Sequence, residues 1–419
     1  MARKMKDSGI EWIGEIPEGW EVGQIGQLYS ERRTKVSDKD YPPLSVTMKG
    51  ILPQLSTAAK TDAHDDRKLV CKGDFAINSR SDRRGSCGIS EQDGSISLIN
   101  TVLQPRGEMN PGYYNWLFHT SMFADEFYKW GHGIVDDLWT TGWSDMKKIG
   151  VPVPSKCEQK QIAEHLNFEC SNIDTILSKT RSSIEEYKKL KQAVITQAVT
   201  KGVRGEREMK DSGVDWIGEI PKEWVCEKIK YATSISRGLF NHRPRNDERY
   251  YNGKYPFIQT GDVANATKYI VSYSQTLNEL GKSVSKEFPK GTLTMTIAAN
   301  VGDVAMLNFD AYFPDSVVGF VPNKNIRTLY LFYVFSAMKD EFIRTAIKST
   351  QLNLNIDRVK ETFIPVTLNV NEQCEIENYL ESKCAEIDGL IAKKEQLVKE
   401  LESYKKSLIY EVVTGKREV

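Results

Sequence analysis

The sequence carries no net charge, because its 57 basic and 57 acidic residues cancel. A neutral chain generates no strong overall field, so any polyanion that it binds must be held by a local basic patch. The sequence also lacks a run of about 18 apolar residues, the length that a membrane-spanning helix needs. The charged residues 1–6 lead into Trp and Gly, where a signal peptide would place its apolar region. We therefore expect a cytoplasmic protein.

Cysteine is scarce and lacks any paired pattern. There are seven cysteines, and no two of them have the Cys-x-x-Cys spacing. This arrangement fits a reducing compartment and argues against both a disulfide framework and a zinc ribbon. Cys170 and Cys384 fall on the helical pattern described below, where we interpret them as small core residues.

The motifs of common catalytic chemistry are missing as well. The nucleotide-binding pattern Gly-x-x-x-x-Gly-Lys-Ser/Thr is incomplete, because Thr276 replaces the first glycine before Gly281-Lys282-Ser283. The histidines form no His-x-x-x-His pair, which argues against a zinc site. Residues 110–113, Asn-Pro-Gly-Tyr, resemble the Asn-Pro-Pro-Tyr of amino-methyltransferases but have no glycine-rich cofactor strand before them. We interpret the acid pairs at 65–66 and 136–137 as solvated loop residues. The sequence thus predicts a binding scaffold with no metal site, rather than an enzyme.

What the chain does have is an internal repeat. Residues 5–20 recur at residues 209–224 with four differences in sixteen positions. Each copy, here called an arm, is interrupted by Gly and Pro and carries Trp and Ile as apolar anchors. We expect the arm to dock on its own domain, and a surface shared with a partner subunit is the alternative.

Two long helical patterns form a second repeat. Ser155 and Glu158 make a capping box, after which apolar residues recur in steps of four and three, as in a heptad seam. The same seam recurs 214 residues later, opened by Asn369 and Glu372. Because each helix starts from its own globular part, we expect the two to pair antiparallel, as a rod of roughly 64 Å. The residues predicted to pair are Leu166, Ile173, Leu177, Ile184, Tyr187, Leu380, Ile387, Ile391, Val398 and Leu401.

Between the repeated parts lie two different inserts, the first head (residues 22–154) and the second head (residues 227–363). Each mixes short apolar runs bounded by turn residues with one helical stretch, at 113–130 and 329–346. The predicted strands are 44–46, 69–71, 75–77, 97–103, 255–260, 291–298, 304–307 and 317–321. Lys72-Gly73 has a counterpart in Lys290-Gly291, which indicates one duplicated fold.

The fold class is therefore α+β. We expect two globular α/β domains joined by an antiparallel pair of long coiled-coil helices with internal pseudo-two-fold symmetry. The predicted segments are 1–154 for the first arm and head, 155–208 for the first helix, 209–368 for the second arm and head, and 369–419 for the second helix.

Each head has polar groups suited to a DNA duplex. In the first head, residues 78–86 form a three-arginine loop directly after a strand; arginine can bind guanine, asparagine can bind adenine and serine can hold phosphate. The corresponding loop of the second head, 296–302, is less basic. A merely solvated loop is the alternative. The candidate residues are Asn78, Ser79, Arg80, Arg83 and Arg84 in the first head and Arg237, Arg243, Arg245 and Asn300 in the second.

These features together resemble the specificity subunit of type I restriction-modification systems, over essentially the full length. The resemblance rests on the doubled arm, on the helices opened by Glu158 and Glu372, and on residues 256–263 and 351–354. It adds Gln259, Thr260, Asp262 and Asn353 as candidate DNA contacts. The second head has the family's Thr-Gly-Asp pattern at residues 260–262. At the corresponding place the first head has Thr47-Met48-Lys49-Gly50, which departs from that pattern and offers Thr47 and Lys49 as candidates.

The resemblance implies that two target recognition domains each bind one half of a bipartite, asymmetric DNA sequence. The helices would set their separation and bind two modification subunits, which carry S-adenosylmethionine and methylate adenine N6. A restriction subunit that uses ATP and Mg would join for cleavage, and this chain would bind no cofactor itself. The alternatives are a stand-alone DNA-binding regulator or restriction inhibitor, and a methyltransferase in its own right.

Overall fold

The computed structural model describes residues 3–54, 64–133, 139–298, 300–348 and 352–419, with backbone alone at residues 81, 347, 348, 352 and 353. The chain forms two compact units. The first unit comprises Met1–Arg181 with Glu395–Val419, and the second unit comprises Ser182–Lys394. Each long helix contributes to both units, so the units do not follow the predicted segments 155–208 and 369–419.

Among the described residues, the first arm and head form short strands and four α-helices. They are β1 (Met5–Asp7), β2 (Glu15–Pro17), β3 (Glu21–Gln24), α1 (Ile25–Leu28), β4 (Tyr29–Glu31), β5 (Lys35–Val36), β6 (Leu44–Thr47), β7 (Gly50–Pro53), β8 (Arg67–Val70), β9 (Phe75–Asn78), β10 (Cys87–Ile89), β11 (Gly94–Ile96), β12 (Asn100–Pro105), α2 (Pro111–Phe118), α3 (Ser121–Lys129), α4 (Trp143–Met146) and β13 (Gly150–Val153). The first long helix, α5, follows at Lys156–Lys201.

The second arm and head repeat this order with additions. The elements are β14 (Met209–Asp211), β15 (Glu219–Pro221), β16 (Val225–Lys228), α6 (Ile229–Ala232), β17 (Thr233–Arg237), β18 (Tyr251–Phe257), α7 (Thr260–Asn265), β19 (Tyr269–Ile270), β20 (Gln275–Leu277), α8 (Glu279–Ser283), β21 (Glu287–Phe288), β22 (Leu293–Thr296), β23 (Val304–Leu307), β24 (Ala311–Tyr312), β25 (Val317–Pro322), α9 (Thr328–Ala337), α10 (Lys339–Thr345), β26 (Ile347–Lys348), β27 (Leu352–Asn353), α11 (Ile356–Glu361) and β28 (Phe363–Val366). The second long helix, α12, is Val370–Val413.

The two heads share one sheet topology. The central sheet has the antiparallel order β4-β12-β9-β10 in the first head, and β17-β25-β22-β23 in the second, where β19 adds a parallel edge strand. In each head the strand after the arm pairs with the strand before the long helix, as β3 with β13 and β16 with β28. This pairing closes each head beside its own helix and confirms the predicted internal repeat.

The turn before the second central strand is also the same in both heads. Gly73 and Gly291 have φ values of +88° and +86°, a conformation that favours glycine. The backbone N–H of Lys72 donates to Asp93 Oδ1 at 2.8 Å, and that of Lys290 donates to Asp310 Oδ1 at 2.7 Å. The predicted correspondence of the two Lys-Gly turns is thereby confirmed.

The single helix predicted in each head is wrong, because both stretches contain two helices. In the first head the first helix, α2, ends at Phe118, and Thr120 caps α3 by accepting a hydrogen bond from the Phe123 N–H at 3.2 Å. In the second head α9 ends at Ala337 and α10 starts at Lys339. Several predicted strands also have different bounds in the structure. Residue 71 follows β8, residues 97–99 precede β12, residues 258–260 follow β18, and residues 291–292 and 297–298 flank β22.

The long helices pair antiparallel inside each unit. In the first unit Lys405 Nζ donates to Asp174 Oδ1 at 2.6 Å, and Arg181 pairs with Glu402. In the second unit Lys191 pairs with Asp388 at 2.7 Å, and Lys394 Nζ lies 5.7 Å from the Tyr187 ring centroid. Residues later in α5 contact residues earlier in α12, so the predicted antiparallel pairing is confirmed.

The predicted seam faces inward throughout. All ten pairing residues are buried or half-buried, and Leu166 and Leu380 also join the cores of their own heads. The four half-buried residues are Tyr187, Ile391, Val398 and Leu401. Cys170 and Cys384 are buried on the same seam, and burial raises the pKa of the Cys170 thiol to about 11.

Each arm is held by a carboxylate in the first turn of its long helix. In the first unit Trp20 Nε1 donates to Glu158 Oε1 at 3.0 Å, and the Arg3 guanidinium pairs with the same carboxylate. In the second unit Trp224 Nε1 donates to Glu372 Oε2 at 3.1 Å, and Arg207 Nη1 donates to Oε1 at 2.6 Å. Both arginines also lie 5.4 Å from the centroid of their tryptophan ring.

The glutamine that follows each of these carboxylates holds the head. Gln159 Oε1 accepts the Asn110 N–H at 2.9 Å, and Gln373 Oε1 accepts the Arg327 N–H at 2.8 Å. We call Glu158-Gln159 and Glu372-Gln373 the Glu-Gln anchors. Each anchor fixes an arm and the start of a helical hairpin to the first turn of one long helix.

The capping boxes differ between the two helices. Ser155 and Glu158 form the predicted reciprocal box, with N–H to side-chain bonds of 3.2 and 3.3 Å. The second predicted box is only half formed. Asn369 Oδ1 accepts the Glu372 N–H at 3.3 Å, but the Glu372 carboxylate turns to Trp224, Arg207 and the Thr367 hydroxyl.

The arms dock on their own units, as predicted. In the first unit Trp12, Ile13, Ile16 and Trp20 are buried in one core with the end of α12. The Ile13 carbonyl accepts hydrogen bonds from Tyr410 Oη at 3.1 Å and from Lys416 Nζ at 2.8 Å. The first arm therefore also covers the last turn of the second helix.

We predict that Leu177→Asp destabilises the chain by several kcal/mol, because it places an unpaired charge in the seam, where Leu177 is 6% exposed. Urea unfolding measures the loss. Ser178→Asp, at the exposed neighbouring position, is the control and should stay close to wild type. A Leu177→Asp protein as stable as this control would contradict the packing of the seam.

We predict a pH-dependent effect for Glu158→Gln. Partial burial raises the pKa of Glu158, but bonds from Trp20, Ser155 and Arg3 outweigh it and bring the pKa from 4.5 to about 2. A lowered pKa means that the ionised group stabilises the fold above about 4.5, and that this stabilisation disappears as the pH falls towards 2.

The variant should therefore lose about 1.5 to 3 kcal/mol at neutral pH, the usual range for hydrogen bonds to a charged group. The difference from wild type should shrink below pH 4.5. Unfolding between pH 7 and 3 measures it, with the exposed Glu164→Gln as the control. A difference that does not change with pH would contradict the assignment.

Candidate nucleic-acid interface

In the first head, one end of the central sheet gathers the predicted polar loop. Asn78 at the end of β9 is paired with Asn100 at the start of β12. Beyond this pair, the Ser79 N–H donates to the Ile99 carbonyl at 3.3 Å, and the Thr141 N–H donates to the Ser79 carbonyl at 3.0 Å. The loop 79–86 thus leaves the sheet between two neighbouring segments that hold its first residue.

The second head has the same crossing. Thr296 at the end of β22 is paired with Val317 at the start of β25. The Ile297 N–H donates to the Ser316 carbonyl at 2.9 Å, and the Leu354 N–H donates to the Ile297 carbonyl at 2.8 Å. The predicted counterpart loop, 296–302, therefore occupies the equivalent end of an equivalent sheet.

The first-head candidates divide between the interior and the surface of this loop. Asn78 is 6% exposed and its side-chain oxygen accepts the Arg80 N–H at 3.0 Å, so it lies beneath the loop. Ser79 Oγ is 3.1 Å from Thr101 Oγ1. The backbone of Arg80 is bridged to Thr140. The side-chain contacts of Asn78 and Ser79 suit a supporting role, whereas direct base contacts need side chains at the surface.

Arg83 and Arg84 are both at the surface but are held differently. Arg84 Nη2 lies 2.7 Å from Asp125 Oδ1, and its guanidinium lies 5.3 Å from the Tyr128 ring centroid. The Tyr128 hydroxyl in turn donates to the Asn78 carbonyl at 3.4 Å. Arg83 is 69% exposed and lies 3.8 Å from Asp82. Arg84 is therefore oriented by α3, while Arg83 projects from the loop.

Thr47 and Lys49 lie at the tip of the β6-β7 hairpin. Thr47 Oγ1 donates to the Gly50 carbonyl at 2.9 Å and accepts the Lys49 N–H at 3.1 Å, which closes the turn. A Cβ atom at Gly88 would lie 2.7 Å from the Gly50 Cα, so the tip rests on β10, the strand that leaves the arginine loop. Lys49 is exposed at this tip.

In the second head, three candidate arginines gather around Asp315. Arg237 Nε donates to the Asp315 backbone carbonyl at 2.5 Å. Arg245 pairs with the Asp315 carboxylate, and Arg243 Nη2 lies 3.8 Å from its Oδ2 atom. Asp315 directly precedes Ser316, whose carbonyl holds the candidate loop. The three arginines therefore lie at the same sheet end as that loop.

The Thr-Gly-Asp segment starts a helix. Asp262 Oδ2 accepts the Gln259 N–H at 2.7 Å, and Oδ1 accepts the Ser274 N–H at 3.1 Å. Gln259 Nε2 donates to Gln275 Oε1 at 2.8 Å, and Thr260 is the first residue of α7. The structure thus uses the Asp262 carboxylate to cap a helix and to fix the neighbouring segment.

Two candidates remain in the second head. Asn300 is exposed on the loop, where its carbonyl accepts the Asp303 N–H at 3.3 Å. Asn353 pairs through its backbone with Ile347, next to the Leu354 that holds the loop, and its side chain lies outside the described part of the chain, as does the whole of Gln351.

The residues that resembled a catalytic motif have structural roles. Asn110 caps α2 by accepting the Tyr113 N–H at 3.2 Å, and the buried Tyr113 hydroxyl donates to the Val413 carbonyl at 2.8 Å. Asp66 pairs with Lys35 at the surface, and Asp136 and Asp137 lie outside the described residues. Within the described ranges, no cluster of three His, Cys, Asp or Glu residues could hold a metal ion.

Sequence reasoning missed the acids that orient the arginines. Asp125 lies on α3 and Asp315 on the β24-β25 turn, each far along the chain from the arginine that it contacts. No local pattern marks either residue, because the contact depends on the folded sheet end.

In the described part of the chain, no helix is long and apolar enough to span a membrane.

Comparison with known proteins agrees with this geometry. The family model of the type I restriction modification DNA specificity domain matches residues 235–400. The type I restriction enzyme MjaVIII specificity subunit of Methanocaldococcus jannaschii is 24% identical over 431 residues, covering 96% of this chain and 93% of that protein. The type I restriction enzyme MjaIX specificity subunit of the same organism is 28% identical over 169 residues, or 39% of this chain and 38% of that protein.

Solved structures show the same fold. A chain from a study of complex assembly and conformational transition of the type I R-M system has a TM-score of 0.76 at 13% identity, covering 96% of this chain and 99% of that one. The HsdS subunit from Thermoanaerobacter tengcongensis has a TM-score of 0.54 at 15% identity, covering 96% of this chain and 98% of that one.

The doubled head on a repeated helical frame agrees with these matches. The chain carries the type I restriction modification DNA specificity domain at residues 235–400, and over 96% of its length it is similar to type I restriction enzyme specificity subunits. The matches lend no support to the alternative of a stand-alone regulator or restriction inhibitor.

We predict that Arg84→Ala lowers the free energy of unfolding by about 1 kcal/mol, because it removes an exposed ion pair worth about 0.2 to 1 kcal/mol and a cation–π contact worth about 0.5 to 1 kcal/mol. Arg83→Ala is the matched control and should stay within about 0.5 kcal/mol of wild type. Thermal unfolding measures both variants. Equal effects would show that α3 does not hold Arg84.

Proposed function

We propose that each head reads one half of a bipartite, asymmetric DNA target. The observation that carries this proposal is the pair of equivalent sheet ends, which present different side chains on one shared fold. The first end offers Arg83 and Arg84, and the second offers Asn300 beside three arginines. Arginine and asparagine can form paired hydrogen bonds to guanine and adenine edges, so different residues on one fold would select different sequences.

The repeated frame suits two copies of a single partner. The arm, the Glu-Gln anchor and the long helix occur twice with the same contacts, so each unit offers a similar surface outside its head. We propose that these surfaces bind two modification subunits, and that the paired helices set the separation of the two half-sites. The absence of net charge is compatible with this, because partner subunits would supply many of the phosphate contacts.

The chain itself acts in this proposal as a non-catalytic specificity subunit. Residues 110–113 and the acid pair at 65–66 offer neither a methyltransferase site nor a metal site among the described residues. S-adenosylmethionine would therefore belong to the modification subunits, and ATP with Mg to restriction subunits. The role of this chain is to place DNA for chemistry that other subunits perform.

The test uses the chain assembled with its modification subunits. Binding to a panel of single-base target changes at two salt concentrations separates base contacts from phosphate contacts, since a base contact is worth about 1 to 3 kcal/mol of discrimination at one position. We predict that at least one of Arg80→Ala, Arg83→Ala and Arg84→Ala relaxes specificity in one half-site only. Asn300→Ala should affect only the other half-site.

If the first-head variants and Asn300→Ala change the same half-site, the heads do not read separate halves. If no modification subunit co-purifies with the chain, the scaffold role is wrong. If the chain alone binds S-adenosylmethionine, it is a methyltransferase rather than a specificity subunit.

A further inference from the structure

We propose that Asp315 is a positioning residue for DNA recognition by the second head, with Asp125 in the same role in the first head. Neither acid contacts DNA in this proposal. Each holds arginine side chains in the orientation from which they meet the target. The inference rests on the proposed function and adds to it the residues that determine how sharply each half-site is discriminated.

Asp315 is the point where the three candidate arginines of the second head converge. Its carboxylate pairs with Arg245 and lies 3.8 Å from Arg243, while its backbone carbonyl accepts Arg237 Nε. Arg243 is fixed further, because its Nη1 donates to the Phe240 and His242 carbonyls at 2.8 Å each. One acid thus links side chains from two different stretches of the chain.

The position of Asp315 connects this cluster to the candidate loop. The residue lies in the turn between β24 and β25, which the Val317 N–H closes by donating to the Pro314 carbonyl at 3.0 Å. The backbone carbonyl of the next residue, Ser316, accepts the Ile297 N–H at the base of the loop that carries Asn300. The turn therefore holds the arginines and the loop in a single arrangement.

The first head reaches a similar result with a different element. Asp125 lies on α3 and pairs with Arg84 at 2.7 Å, while Tyr128 from the same helix packs against the guanidinium. Tyr128 also contacts the carbonyl of Asn78 at the sheet end. In both heads an acid outside the candidate loop orients an arginine, which lies in the loop itself in the first head and beside the loop in the second.

Stability alone does not account for an acid at these places. The side chains of Arg243, Arg245 and Asp315 are 56%, 46% and 35% exposed, and exposed ion pairs contribute little to folding. A carboxylate beside the arginines would also repel DNA phosphates. What it can provide is orientation, because a bidentate arginine contact with a base depends on the guanidinium plane.

The test compares Asp315→Asn with Glu279→Gln, both assembled with the modification subunits. Each change removes one negative charge from the second head, but Glu279 pairs with Tyr255 and Lys254 and does not contact the arginine cluster. Affinity for the target, for single-base variants of both half-sites and for unrelated duplex is measured at several salt concentrations. Asp125→Asn is measured in parallel, and thermal unfolding verifies that each variant is folded.

We expect Asp315→Asn to reduce discrimination at one or more bases of the second half-site by about 5-fold or more. The released arginines should bind unrelated DNA more tightly, with a salt dependence steeper by about one unit. Asp125→Asn should affect only the first half-site, and Asp315→Glu should restore much of the discrimination. Glu279→Gln should leave base discrimination unchanged.

If Asp315→Asn matches Glu279→Gln in discrimination and salt dependence, Asp315 is a surface ion pair without a positioning role, and the inference is wrong. In that case wild-type discrimination of both half-sites still supports the proposed function. If the wild-type complex itself discriminates no bipartite target, the proposed function fails first. If Asp315→Asn weakens binding to all DNA equally, the acid supports the fold of the head rather than its selectivity.

Discussion

The fold depends on a buried or half-buried carboxylate at the start of each long helix. Glu158 and Glu372 each accept a hydrogen bond from a tryptophan indole and pair with an arginine stacked on that ring. Removing a carboxylate from water is costly unless its oxygens are fully paired. The tryptophan of the arm and the arginine just before the arm supply two of those partners, which explains why a short two-stranded segment is held firmly against the helix.

The neighbouring glutamines extend this constraint into the heads. Gln159 and Gln373 accept backbone N–H groups just before α2 and α9, so the helical hairpin of each head is fixed relative to the first turn of its long helix. The heads can then differ in their exposed residues while their attachment stays the same. This arrangement accounts for a chain in which the repeated parts are similar and the parts between them are not.

The sequence predicted the frame better than the heads. A heptad period and a near-identical repeat are signals that survive without tertiary information, so the seam and its antiparallel pairing were predictable. The helix at 113–130 was mispredicted because aromatic residues continue the helical spacing across Thr120, which in the fold caps a second helix. The role of Asp262 could have been recognised from the Gln259-Thr260-Gly261-Asp262 spacing, which is that of a capped helix start.

The candidate sites were predictable as residue types but not as an arrangement. The arginines of both heads were identified from composition and loop position, yet the acids that orient them lie far away in the sequence. Asn78 has the chemistry of an adenine contact, but its place at the end of β9 buries it under the loop. Whether a polar side chain reaches the surface depends on strand register, because a shift of one residue moves every side chain to the other face of the sheet.

Main-chain bonds tie the start of each candidate loop to the sheet. Ser79 and Ile297 each donate their N–H to one neighbouring segment and accept an N–H from another through their carbonyl. Main-chain bonds do not depend on which side chain a residue carries. The loops can therefore exchange side chains during evolution without losing their anchorage, so new target preferences can arise by substitution while the supporting architecture persists.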